Sequence, residues 1–335
     1  MVTSNPAEEA RSANAGRAPS PAAEPAAAES TAAAQPAAAE SAAAQQAAAA
    51  ESTAAAEPAT AAGQDETSSR GAAHDGALLQ LRGIGKNFGP VQALSGVDLD
   101  IPAGQVTALV GDNGAGKSTL IKTISGIWEP SHGQMIWQGQ RVHFRSPRDA
   151  TETGIATVYQ DLALCDNLDI VQNMLLGHEA LRHLLLDEVS MEKTAKQTLS
   201  DLRVTTVRNI RQPVGSLSGG QRQAVAVAKA VILDAKLVIM DEPTAALGVS
   251  QTELVLELIS NLASRGIGVL VVSHNLADVF RVADRLAVLY LGKLVASGPA
   301  SEYDTASAVD LMTTGLSLRT PSPAGPARSH DGPEG

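Results

Sequence analysis

The sequence predicts an α/β fold with a mixed, mostly parallel core sheet, an antiparallel β subdomain and an inserted helical subdomain, flanked by disordered tails. Three observations carry this. The runs KLVIMDEP (236–243) and GIGVLVVSHN (266–275) each hold an unbroken apolar stretch, as parallel strands covered on both faces do. VTALVGDNGAGKSTLIKTISGI (106–127) reads as a buried strand, a Gly-rich turn and a helix. ALLQLRGIGKNFG (77–89) and VQALSGVDLDI (91–101) alternate apolar and polar residues, the pattern of a half-exposed sheet.

The folded part is expected to run over 77–318. Before Leu78 the chain has no Leu, Ile, Phe, Tyr or Trp, and 22 of the 40 residues from 21 to 60 are Ala. Such a segment cannot bury enough apolar surface to offset the entropy of ordering it, so 1–76 reads as a disordered tail. It contains three eleven-residue copies, PAAAESTAAAQ, PAAAESAAAQQ and AAAAESTAAAE, whose largest apolar side chain is Ala, so it reads as a low-complexity tether. Residues 319–335 read the same way.

Of the formal charge of −11, −7 belongs to residues 1–77, leaving −4 for the remainder. A mildly acidic body lacks the basic footprint of a nucleic-acid binder, so no nucleic-acid partner is expected. The one cysteine, Cys165, excludes an internal disulfide and has no redox or metal partner in sequence. No run qualifies as a membrane span, and Glu8 and Glu9 with no Leu-rich stretch argue against a signal peptide. A soluble chain that meets a membrane only through partners is expected.

After the Gly-rich turn, GQMIWQGQRVHF (133–144) reads as a strand pair. Residues 161–214 are rich in helix formers, notably LDIVQNMLLGHEALRHLLL and SMEKTAKQTLSDL, and with QAVAVAKAVI they set the helical subdomain at about 161–230. RLAVLYLGKLVASG (285–298) reads as a closing hairpin and TASAVDLMTTG (305–315) as a last short helix. His178 and His183, at i, i+5, do not face one metal and read as surface residues.

The chemistry is concentrated in a few motifs. Gly111–Thr119, GDNGAGKST, matches the phosphate-binding loop pattern between a strand and a helix, as that motif requires. Gly111, Gly114 and Gly116 let the backbone wrap a phosphate with its N–H groups turned inward, and Asp112, Asn113, Ala115 and Thr119 complete the loop. Lys117 can reach the β- and γ-phosphates of ATP, and the Ser118 hydroxyl suits Mg²⁺. Asp241 ends an apolar strand, where its carboxylate can hold the magnesium shell; Glu242 follows, placed to polarise an attacking water. Ser218, Gly219, Gly220 and Gln221 open a helix and offer a second anion-binding terminus.

LSGGQRQ (217–223) is the segment on which the chain resembles the ABC ATPases, whose signature is LSGGQ and whose other motifs occur here in the family order. The resemblance spans about Leu78 to Gly315. It implies a P-loop ABC ATPase cassette that hydrolyses ATP, with Phe88 of KNFG against the adenine ring. Gln160 of VYQD matches the family glutamine at the catalytic site and on the metal, and His274 of VVSHN matches the γ-phosphate histidine. It also implies a head-to-tail dimer with a second cassette, a homodimer by default, in which each signature terminus closes on the other subunit's ATP. One position departs: where the family usually has an aspartate that helps couple the two sites across the dimer, this chain has Gly248 in PTAALG.

PTAALGVSQTE is similar to single-domain ATPases of monosaccharide importers of the fructose type. That resemblance implies integral membrane permease subunits, an indirect sugar-binding protein, and a peripheral place on the cytoplasmic face of the membrane. The other class is a soluble ABC ATPase acting on ribosomes or nucleic acid. Such proteins usually carry two cassettes or a coiled-coil insertion, and this chain has one cassette, no heptad run and an acidic balance.

Overall fold

The computed structural model describes residues 77–183 and 185–316. The tails expected at 1–76 and 319–335 lie outside the described residues. Two sheets organise the rest. The first is antiparallel, in the order β2–β1–β4–β5, from β1 (Ala77–Phe88), β2 (Val91–Pro102), β4 (His132–Trp137) and β5 (Gln140–Val142). The second has the order β12–β11–β3–β10–β9–β6, with β3 (Val106–Val110), β6 (Ile155–Val158), β9 (Leu237–Asp241), β10 (Gly268–Val272), β11 (Arg285–Tyr290) and β12 (Lys293–Pro299). Four of its five pairings are parallel, and β12 pairs antiparallel with β11. The fold is thus the expected mixed α/β arrangement.

The apolar strand runs have the reason anticipated. Along β9, Leu237 and Ile239 enter one core with the antiparallel sheet and helix α1 (Lys117–Ile124), while Val238 and Met240 enter another. That second core packs against α3 (Ile170–Leu175), α4 (Glu188–Asp201), α5 (Gly219–Ile232) and α6 (Val249–Ser264). With side chains alternating between faces, a strand covered on both must be apolar throughout. A third core lies between β3, β11, α7 (Leu276–Val282) and α8 (Thr305–Thr314).

The helical segment departs from the sequence reading. LDIVQNMLLGHEALRHLLL does not form one helix: α3 stops at Leu175, and Gly177 turns at φ +82°. Leu181–Arg182 (β7) and Leu185–Leu186 (β8) then pair as a small antiparallel hairpin. A reciprocal box between Asp169 and Gln172 caps the start of α3, and its residues Ile170, Val171, Met174 and Leu175 are buried. Leu181, Leu185 and Leu186 beyond it are exposed, so propensity there has no packed face to support it. Arg211 holds this region to its neighbours by ion pairs with Asp169, Glu188 and Glu192 at 3.2–3.3 Å. Helix α2 (Pro147–Thr153), β6, α6 and α7 have no counterpart in the sequence reading.

Candidate functional site

The parallel strands bring the sequence motifs to one edge. Val272 of β10 is level with Leu109 of β3 and with Asp241 of β9, and Met240 with Val158 of β6. Their carboxyl ends therefore deliver the phosphate loop, His274, the Asp241–Glu242 pair and Gln160 to the same rim, where ligands of open α/β sheets bind. Gln160 stands there exposed, two residues beyond β6.

The phosphate loop is built by close approach as much as by flexibility. Gly116, at φ +104°, precedes α1, and a Cβ there would lie 2.9 Å from the Ala93 carbonyl. A Cβ on Gly111 would lie 2.4 Å from the Leu289 carbonyl, so β11 and the β1–β2 hairpin clamp the loop between them. Lys117 is buried, its Nζ donating to the carbonyls of Gly111 (2.8 Å) and Asp112 (3.0 Å). Those bonds hold the ammonium across the loop mouth. Asp112, Asn113, Gly114 and Ser118 remain exposed, Thr119 half-buried, and Ala115 packs into the core.

Glu242 has a left-handed backbone, φ +50°, rare for a side-chain-bearing residue and concentrated at functional sites. Its N–H donates to the Val272 carbonyl at 2.8 Å, which keeps it at the strand rim. His274 Nδ1 lies 2.8 Å from Glu242 Oε1; a carboxylate only accepts, so the ring nitrogen donates. Burial raises the Asp241 pKa, with the neighbouring Glu242 charge adding to it, while Lys117 and Lys122 oppose the rise. Lys122, five residues beyond Lys117 on α1, is a cation whose charge reaches Asp241 and which motif reading missed; no spacing in the sequence signals it.

A half-buried carboxylate crowded by another lacks full compensation, and an added divalent cation would supply it. Ser118 and Asp241 thus fit Mg²⁺, with phosphate oxygens or water needed to complete the shell. Among the described residues no cluster of three or more His, Cys, Asp or Glu could hold a metal unaided.

At the second terminus, Ser218 and Gln221 form a reciprocal capping box at the start of α5. Gln221 Nε2 also donates to the Thr206 carbonyl at 2.8 Å. The adjacent glycines have a packing reason that sequence alone did not supply. A Cβ on Gly219 would meet Leu247 Cδ2 at 2.6 Å and one on Gly220 would meet Gln251 Cβ at 3.2 Å, so α5 starts hard against α6. Among the described residues no hydrogen bond or ion pair joins 111–119 to 218–221.

Phe88 ends β1, 40% exposed, its ring meeting Trp128 edge to face at 4.7 Å and 74°. A groove of about 630 Å³ lies elsewhere, between the 202–206 segment and α6, and includes none of the phosphate-loop residues.

Residues 94–245 match the family model described as ABC transporter. The chain is 46% identical over 237 residues to the xylose/arabinose import ATP-binding protein of Sulfolobus acidocaldarius, covering 71% of this chain and 94% of that one. It is also 46% identical over 243 residues to the fructose import ATP-binding protein of Rhizobium meliloti, covering 70% and 94%. A ribose import ATP-binding protein of Rubrobacter xylanophilus is 42% identical, and the match spans 70% of this chain but 47% of that longer protein. Among solved structures, the ADP conformation of the ABC transporter cassette MJ1267 superposes with a TM-score of 0.61 at 26% identity, covering 71% and 95%. The dimeric cassette MJ0796 gives 0.57 at 25%, covering 66% and 98%. Identity at this level along nearly the whole of two relatives, on a sheet that brings the same motifs to one rim, means that the chain belongs to the ABC transporter family as an ATP-hydrolysing, ATP-binding subunit.

Proposed function

We propose that this subunit energises uptake of a monosaccharide through partner permease subunits, working from the cytoplasmic face of the membrane, and that residues 77–318 form its cassette with a helical subdomain at about 161–230. The observation that carries the reading is the pair of sugar-import relatives matched over 94% of their lengths. A sugar-binding protein would deliver substrate to the permease. Among the described residues no helix is long and apolar enough to cross a membrane, in keeping with a separate permease.

In this reading Lys117 exchanges its loop carbonyls for β- and γ-phosphate oxygens as the loop N–H groups close on ATP. Glu242 takes the proton from the attacking water. His274, bonded to Glu242, orients that carboxylate and meets the γ-phosphate, and Gln160 reaches the same phosphate from β6. Ser118, Asp241 and Gln160 would hold Mg²⁺, which would supply positive charge against the β- and γ-phosphates. Phe88 receives the adenine. Ser218, Gly219, Gly220 and Gln221 complete the site of a second copy, so that two chains share two ATPs.

Two measurements test this. Full-length chain used as bait in solubilised membranes should retain an integral membrane protein rather than ribosomes. Proteoliposomes holding that complex should then accumulate labelled monosaccharide only with internal ATP. ATP-dependent association with ribosomes and no membrane protein would overturn the transport reading.

A further inference from the structure

Trp128 belongs to none of the three cores, whereas Trp137 is almost wholly buried in one of them. In a chain with only 2% aromatic residues, a half-exposed tryptophan outside the cores needs another reason to be there. Its surroundings supply one. The Phe88 ring is its T-shaped neighbour, and the strand end that carries Phe88 is tied to the Trp128 segment three times. Lys86 Nζ donates to the Glu129 carbonyl (2.9 Å), the Asn87 N–H to Ser131 Oγ (3.0 Å), and the Ser131 N–H to the Gly85 carbonyl (2.8 Å).

Trp128 is itself anchored to the helix that begins with Lys117. Its N–H donates to the Lys122 carbonyl at 3.2 Å, and Lys122 Nζ stands 4.8 Å over its ring. Lys86 Nζ stands 5.2 Å from the Phe88 ring centre. A phenyl ring at a strand end, next to the Gly89–Pro90 turn and 40% exposed, would otherwise sample several rotamers. Edge-to-face contact with an anchored indole selects one of them. One helix thus joins the phosphate end of the site to its base end.

We propose that Trp128 is a positioning residue for nucleotide binding: it fixes the Phe88 ring, and through that ring sets affinity for the base without acting on the phosphates. This rests on the reading of Phe88 as the adenine platform. It predicts a split that a merely structural role would not give.

The test uses the full chain and measures binding of ATP and of tripolyphosphate, which has phosphates but no base. Trp128→Ala should weaken ATP about 2- to 10-fold, the scale of one aromatic pair. It should leave tripolyphosphate affinity unchanged and keep the rate at saturating ATP within about two-fold. Trp128→Phe should restore most of the affinity. Phe88→Ala should weaken ATP at least as much, and the double variant should be no weaker than Phe88→Ala alone. If Phe88→Ala weakens ATP but Trp128→Ala does not, the Trp128 assignment is wrong and the platform stands. If Phe88→Ala leaves ATP affinity intact, the platform itself is wrong, and the assignment with it. Equal loss of tripolyphosphate affinity in Trp128→Ala would mark general damage and overturn the proposal. Should that variant fail to fold, Trp128→Leu, apolar but without a ring, carries the same comparisons.

Discussion

Glu242 combines a left-handed backbone, a strand-rim position and a bond to His274, a residue 32 positions away in sequence. Gln in its place keeps the shape and hydrogen-bonding reach but cannot accept the proton. Glu242→Gln should therefore bind ATP and lose about 10²–10⁴-fold in hydrolysis rate, as removal of one general base does. Single-turnover hydrolysis measures this, and turnover at the parent rate would remove Glu242 from the role. Its neighbour Asp241 makes a different prediction. Its folded-state pKa is raised, so between the unfolded and folded values the native chain holds a proton that the unfolded chain has lost. Stability from this group falls as pH rises through that window and stays lower above it. Without nucleotide, Asp241→Asn should melt higher than the parent at pH 7, the gap narrowing toward pH 4. Thermal melts across that range check the sign, and a gap that widened on acidification would contradict it.

Among the helices, α6 begins with a defect that can be repaired. Its N-cap is Gly248, at φ −74° and ψ 162°, with no side-chain acceptor for the first-turn N–H groups. A Cβ there would meet nothing within 4 Å. Gly248→Asp should fit the cap and place a carboxylate at the positive end of a 16-residue helix. Stabilisation of about 0.3–1 kcal/mol follows from cap and dipole together. Denaturant titration reads it directly, and a lower midpoint would show that the glycine is needed for something other than the cap. The same helix start receives Gly219 and Gly220 of α5, so the signature terminus and the Gly248 segment form one packed unit. A change at 248 is expected to alter how that terminus meets a second subunit, and hydrolysis by Gly248→Asp is worth following beside its stability.

For the molecule as a whole, one phosphate loop and one signature terminus occupy separate places with no hydrogen bond or ion pair between them among the described residues. Two copies arranged head to tail would make two complete sites, and ATP would hold them together because its phosphate charge gains a second helix terminus on closure. Glu242→Gln should shift from monomer to dimer on adding ATP and Mg²⁺, and wild type should return to monomer as hydrolysis proceeds. Light scattering on a sizing column follows both. A Glu242→Gln chain that binds ATP tightly yet stays monomeric, while wild type hydrolyses, would exclude the shared site.

The sequence by itself determined the class of sheet, the phosphate loop, the strand-end acids and the family. Each is written locally: a loop needs glycines at set spacing, and a strand covered on both faces needs an unbroken apolar run. Tertiary structure decided what depends on residues far apart in the chain. The Glu242–His274 bond arises because β9 and β10 are neighbours in register, which no spacing encodes. Gly219 and Gly220, an anion-binding terminus by sequence, also lie against Leu247 and Gln251, which the chain brings there from about 30 residues away. Residues 176–183 have the composition of a helix, yet α3 ends at Leu175 and Gly177 turns at φ +82°; Leu181, Leu185 and Leu186 stay exposed, so no buried face rewards a longer helix. Propensity is a difference of less than about 1 kcal/mol per residue, too little to hold a helix that has no face to pack.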